Sequence, residues 1–366
     1  MIRTLALVLS LTAAPLWDHP GYDAEDSHFN PAETVINAGS VGRLATKWQV
    51  KLRTADASCS GPSAPVLSGD RLVTTDMLGI SAYSPADGSV RWRYDWDDRL
   101  DNDTPALAVA DGLVIAANGG CNSQSDPDGK LTALDLANGQ PRWTLPMDMP
   151  IGSVVVDKGI VAISGSSPSD EDAVVAHRVR DGKLLWRKPN HGTTGVSADG
   201  VLLIHATDGF GVPTGPTTAV DISTGVTRWS RDGIWKAQAA SPRADRFYAT
   251  DTGSNLGALD AATGAIRWIA NGKSSELIAA DGQRVYRADG RDVEALHAGT
   301  GASLWKTRLT GDAGQPVRAA DLLYAGSTVL RAADGGRVGR SYPGRVIVAG
   351  GRLYQVNGGV LGAHAR

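Results

Sequence analysis

The chain has 366 residues, 42% of them hydrophobic, with 36 basic against 39 acidic side chains and a formal net charge of −3. That length and apolar content allow a substantial core, while the near-balanced charge gives no electrostatic case for a nucleic acid or an anionic membrane surface. Five of the acids are Glu and 34 are Asp, and with 44 Gly and 18 Pro the composition favours turns over helices.

In chain order, the first segment reads as an export leader. Arg3 supplies a positive start, Leu5 to Leu11 an apolar stretch, and Thr12-Ala13-Ala14 a small-residue cleavage site. The apolar run is too short to span a bilayer. No cysteine follows the cleavage region, which argues against a bacterial-type lipid anchor. The expectation is a leader over 1–14, a strap over 15–43, and a single domain over 44–366, secreted as a free monomer.

From there a motif recurs. Small-residue strands run into a Gly-containing turn and then reach a fixed position, filled by Trp92, Trp143, Trp186, Trp229, Trp268 and Trp305, with Gly339 in the seventh copy. The clearest copy reads Ala258-Leu259-Asp260-Ala261-Ala262-Thr263-Gly264-Ala265-Ile266-Arg267-Trp268. Successive endings lie 51, 43, 43, 39, 37 and 34 residues apart. Each interval holds four short apolar segments, in the fifth at 237–240, 246–250, 256–260 and 266–269. Four strands per period of this length predict propeller blades. After Gly339 only three strand-like runs remain, at 345–348, 352–356 and 360–364, whereas residues 44–50 near the start look like an outer strand ending in Trp48. Supplying that strand to the last blade closes a ring of eight and removes the open sheet edges. The fold expected is all-β, an eight-bladed propeller. The tryptophans should lie between blades, and Gly339 should leave one interface thinner.

This repeat resembles the pyrroloquinoline-quinone (PQQ) repeat family of eight-bladed propellers. The leader segment Trp17-Asp18-His19-Pro20-Gly21-Tyr22-Asp23, with Asn30-Pro31 and Val41-Gly42-Arg43-Leu44, is similar to the region before that family's first blade. The resemblance implies one of two functions. Some members hold PQQ and calcium and oxidise alcohols or sugars; others carry no cofactor and act as scaffolds, as in the outer-membrane assembly lipoprotein. Fold alone does not choose between them. The enzymes typically carry two adjacent cysteines, but here Cys59 and Cys121 stand far apart, and there is no Cys-x-x-Cys-His haem motif. Of the five Glu, only Glu171 and Glu276 fall in loops placed to reach the expected cofactor face.

Loop lengths point to a face. The long insertions, at 118–130, 164–173 and 205–217, and the link at 96–104, all belong to the end of the ring that carries blade-to-blade links and second-to-third-strand loops. Cys59 and Cys121 map to the same end, and an exported chain is expected to join them, two free thiols being the alternative. Acids concentrate there as Asp95, Asp97, Asp98, Asp101 and Asp103, followed by Asp126 and Asp128. Of these, Asp97, Asp98, Asp101 and Asp103 are the calcium candidates, though their spacing matches no calcium-loop motif. The histidines 19, 28, 177, 191, 205, 297 and 364 show no ligand spacing, and His177 and His297 occupy the repeat's Asp position. No residue is assigned a catalytic role. The leading expectation is a cofactor-free binding or scaffold module for a protein, peptide or polysaccharide, through the loop-rich face of blades 1–4. The alternative is a PQQ- and calcium-dependent dehydrogenase.

Overall fold

The computed structural model describes residues 17–366 apart from 122, 124–126, 168, 170, 171, 209 and 275. The expected leader, Asp126 and Glu171 therefore lie outside the described residues. Eight four-stranded sheets form an eight-bladed propeller with essentially no helix. Blade 1 runs from inner strand Val66–Ser68 outward through Arg71–Asp76 and Gly79–Tyr83 to Val90–Asp95. Blades 2 to 6 repeat the order, with inner strands Ala106–Ala110, Ser153–Asp157, His191–Ala198, Trp235–Ala240 and Leu277–Ala280. The last blade contributes Arg345–Ala349, Arg352–Asn357 and Val360–Ala365, and its fourth strand is Ala45–Lys51, antiparallel to Val360–Ala365 with Trp48 opposite Ala363. Ring closure through Trp48 is as the repeat count requires.

The motif residues explain the blade junctions. Each Asp-x-x-Thr-Gly turn is held by its own carboxylate: Asp260 Oδ1 accepts from the amides of Ala262 (3.0 Å) and Thr263 (2.9 Å). The Arg before the Trp reaches back to the same Asp, as in Arg142–Asp135 (2.7 Å) and Arg228–Asp221 (2.5 Å). The Trp ring then lies on the turn glycine of the next blade. At Gly139 (φ +74°) a Cβ would come within 2.5 Å of the Trp92 ring, so both the backbone angle and the ring demand glycine. Each indole N–H also donates to a carbonyl of the next blade: Trp48 to Pro85 (3.2 Å), Trp92 to Leu136 (2.8 Å), Trp143 to Val179 (2.9 Å), Trp186 to Ile222 (2.8 Å), Trp229 to Ala261 (2.9 Å), Trp268 to Ala298 (2.8 Å) and Trp305 to Ala332 (3.1 Å). Trp92 and Trp268 are buried and the other five half-buried. The rings supply apolar contact while their polar edges are satisfied.

Blade 7 departs from the pattern. Its strands are Val317–Ala319, Leu322–Ala325 and Thr328–Arg331, and the outer strand is reduced to a single bridge between Leu330 and Arg337. Its fourth strand lies at the other edge, where Phe29–Asn30 pairs in parallel with Arg318–Ala319. The interface at Gly339 is not left thin, contrary to the expectation from the missing Trp. Tyr342, three residues further on, is buried there and its hydroxyl donates to the Val41 carbonyl at 2.9 Å, repeating the indole's bond with a different side chain. Gly339 itself packs against Val41, and Arg340 donates to the Leu44 carbonyl.

Residues 17–30 wind once round the axis and meet the inner strands in ring order. Trp17 exchanges both backbone bonds with Leu67 (2.9 and 2.8 Å), and the Asp18 carbonyl accepts from Val109 (2.8 Å). His19 Nε2 meets the Val156 carbonyl (2.8 Å). The carbonyls of Ala24, Glu25, Ser27 and His28 accept from Ser197 (2.9 Å), Ala240 (2.6 Å), Ala280 (2.8 Å) and Arg318 (2.8 Å). Asn30 Nδ2 completes the circuit on the Val348 carbonyl at 2.8 Å. Every contact falls near the end of an inner strand, just before its turn to the second strand. The strap therefore lies at the turn end of the channel, and among the described residues these contacts all fall at that end.

Candidate functional site

At the loop-rich end, residues from the links and loops of blades 2 to 6 line a cavity of about 500 Å³. Its wall is built largely of Gly, Ser and Thr, with His191, His205, Gln238 and the carboxylates Asp103, Asp172 and Glu276. Of the sequence-flagged residues, Glu276, Asp103, His191 and His205 converge here. Asp172, Thr193, Thr207 and Gln238 were not singled out, because they are spread over blades 3, 4 and 5 and belong to no motif. His205 is held down to about 4 by burial, then by the charges of Lys236 and His191. It is therefore neutral at pH 7. His177 and His297 serve their turns, bonded to the Gly182 carbonyl (2.9 Å) and the Gly299 amide (3.2 Å).

The rim is organised by polar bonds. Cys59 and Cys121 form a disulfide, Cα to Cα 6.4 Å, tying the entry to blade 1 to the long loop of blade 2. Under it runs the acidic link between these blades. Its buried Asn102 donates to Asp97 Oδ1 (3.2 Å) and accepts from Asn118 (3.2 Å). Asp97 pairs with Lys130 at 2.9 Å, and that bond holds its carboxyl below the ordinary range. Asp98 Oδ1 accepts from the Leu100 amide (2.9 Å) and Asp103 Oδ1 from the Thr104 amide (2.6 Å). Asp101 lies beside Gly120. Among the described residues no three His, Cys, Asp or Glu side chains stand together as a cation would require. As arranged, Asp98 and Asp103 cap turns and Asp97 answers a lysine.

The blade 4 loop presents Phe210 with 72% of its surface exposed. Asp208 Oδ1 accepts from the amides of Phe210 (2.9 Å) and Val212 (3.2 Å), so the loop is fixed with its apolar tip outward. Val212 and Leu100 are exposed on the same rim.

The family model described as "Outer membrane protein assembly factor BamB" matches residues 44–231 and 252–343, most of the propeller. The chain belongs to this PQQ-repeat family. Within it, the outer membrane protein assembly factor BamB of Burkholderia pseudomallei is 24% identical over 190 residues, covering 49% of this chain and 47% of the relative. The dehydrogenase subunit of the quinone alcohol dehydrogenase of Acetobacter aceti is 25% identical over 270 residues, covering 63% of this chain and 33% of that protein. The chain thus spans about half the length of the BamB relative and a third of the dehydrogenase. Among solved structures, BamB from Moraxella catarrhalis superposes with a TM-score of 0.63 at 18% identity, over 88% of this chain and 98% of that one. At that identity the likeness speaks to the fold alone. Among the described residues no helix is long and apolar enough to cross a membrane.

Proposed function

We propose that this PQQ-repeat propeller is an exported scaffold that holds a protein partner, or a peptide segment of one, on its loop-rich face. The observation that carries the reading is the asymmetry of the channel. One end is occupied by the chain's own strap, and the other opens into a polar cavity rimmed by the outward-held Phe210. The named relative that assembles outer-membrane proteins supports a binding role over a chemical one.

A photo-crosslinking residue placed at Phe210, and in a separate variant at Val226, tests it in cells that produce the protein. Val226 is equally apolar and 63% exposed, but it sits on a third-to-fourth-strand turn at the opposite end. A discrete protein adduct from position 210 and none from 226 is expected. Equal labelling from both, or none from either, overturns the reading. PQQ and calcium added to the purified chain, followed by dye reduction with a panel of alcohols and sugars, tests the enzymatic alternative. Turnover there would replace the scaffold.

A further inference from the structure

We infer that the cavity lined by blades 2 to 6 is a receptor for a primary ammonium group, supplied by a lysine side chain of the bound protein segment, with Asp172 as its counter-ion. This rests on the scaffold reading above.

Asp172 is 1% exposed and lines the cavity. Its Oδ2 accepts from the Gly211 amide at 2.7 Å, but its Oδ1, equally shut from solvent, has no partner. Thr207 Oγ1, on the same wall, is also buried without one. Asn190 brings the two residues together: its N–H donates to the Asp172 carbonyl (2.6 Å) and its carbonyl accepts from the Thr207 amide (2.9 Å). A buried carboxylate oxygen without a donor is costly to the fold, and a donor entering through the cavity relieves that cost. His205, neutral at pH 7, adds a nitrogen acceptor beside Gly192, where an added Cβ would stand 3.0 Å from Nε2.

The donor set distinguishes lysine from arginine. Oδ2 already takes a bond from Gly211 and only Oδ1 is left without a donor, so a single point donor satisfies what is unpaired, whereas a guanidinium fork would spend its second N–H on an oxygen already engaged. An ammonium is a point charge with three donors and suits separate acceptors such as Asp172 Oδ1 and Thr207 Oγ1. Asp103 and Glu276 add negative charge to the same cavity, with Lys236 near His205 opposing them. A lysine's apolar stem can lie along the rim beside Phe210 while its head reaches the floor.

The test titrates the full chain with Nα-acetyl-lysine methylamide, followed by NMR shift perturbation. Its norleucine counterpart, which lacks the amine, and cadaverine, a free diamine, serve as comparisons. Saturable binding of the lysine probe and none of the norleucine probe are expected. Asp172→Asn should weaken binding at least about tenfold, and Thr207→Val by a smaller factor, with thermal melts confirming folded variants. Equal binding of the norleucine probe, full binding to folded Asp172→Asn, or no binding to the native chain overturns the assignment. Cadaverine binding without binding of the lysine probe overturns the protein partner in favour of a free amine. The scaffold reading fails separately: a Phe210 adduct with no lysine binding sinks only this inference. Lysine-probe binding without any adduct sinks the scaffold and, with it, the partner assigned here.

Discussion

The two ends of the channel are made by the same eight inner strands, yet they are finished differently. At the turn end, residues 17–30 answer each inner strand with a hydrogen bond, and Trp17, fully buried, anchors the start of the circuit. At the loop end, loops of unequal length leave Asp172 Oδ1 and Thr207 Oγ1 unanswered and hold Phe210 in solvent. The turn end is closed by the chain's own bonds to every inner strand, although His28 Nδ1 is buried there without a partner, whereas the loop end keeps a buried carboxylate oxygen beside a cavity.

The sharpest way to break this contrast is to remove the strap's anchor. Trp17 packs edge-on against Tyr22, ring centroids 5.2 Å apart, and donates to the Pro20 carbonyl at 3.2 Å. Trp17→Ala should cost about 3–5 kcal/mol in urea unfolding, as for other large buried rings. A loss below about 1 kcal/mol would mean the strap contributes little to the ring.

The disulfide probes the opposite end. The paired cysteines are separated by 62 residues, so opening the bond in a Cys59→Ser, Cys121→Ser double variant should cost about 2–4 kcal/mol. Hydrogen exchange should rise in the 96–130 region and stay low at the strap's backbone bonds. A rise spread evenly over both ends would show that the two are not independent units.

Next comes pH, which acts on the strap with a definite sign. Asp23 is pushed up to about 8, first by burial and then by the charge of Glu25, against hydrogen bonds from Ser27. Burial opposes the charge on His19, but its bond to Asp18 at 2.7 Å and the Val156 carbonyl prevail, and its pKa is raised above 6.5. Both groups hold protons in the folded state that the unfolded chain releases, so their contribution is present at low pH and lost as pH rises. Stability should therefore fall between pH 6.5 and 9, and Asp23→Asn should flatten that slope. Below pH 6.5 His205, depressed to about 4, acts in the opposite direction, so the alkaline side is the clean window. An unchanged slope in Asp23→Asn would remove Asp23 from the account.

The ring was legible in the sequence because its cause repeats. A turn Asp, a positive-φ Gly and a Trp recur at fixed spacing, so counting them to Trp48 yields eight blades and the closing strand. The site was less so, because its causes do not repeat. Asp172 and Thr207 are joined through the backbone of Asn190, and Asp97 finds Lys130 from 33 residues away. The aspartates drew notice as a local cluster, but Asp97 and Asp95 answer Lys130 and Arg53, partners that local spacing does not reveal. The strap's circuit is invisible for another reason: nearly all its bonds are backbone bonds, which any side chain permits.

Tyr342 offers the smallest and most discriminating probe, at the junction where the strap leaves the axis for the rim. It does the work of a Trp from an irregular segment, with its hydroxyl on the Val41 carbonyl and its ring near Tyr324 and His364. Tyr342→Phe keeps the packing and orphans one buried carbonyl, so about 1 kcal/mol should be lost. Phe210→Ala, an exposed ring at the other end, should change stability by less than about 0.5 kcal/mol. The order of these two values is the informative quantity. A buried hydroxyl outweighing an exposed phenyl ring follows if Phe210 adds nothing to the fold; the reverse order would show that its ring packs into the propeller and is not held free at the rim.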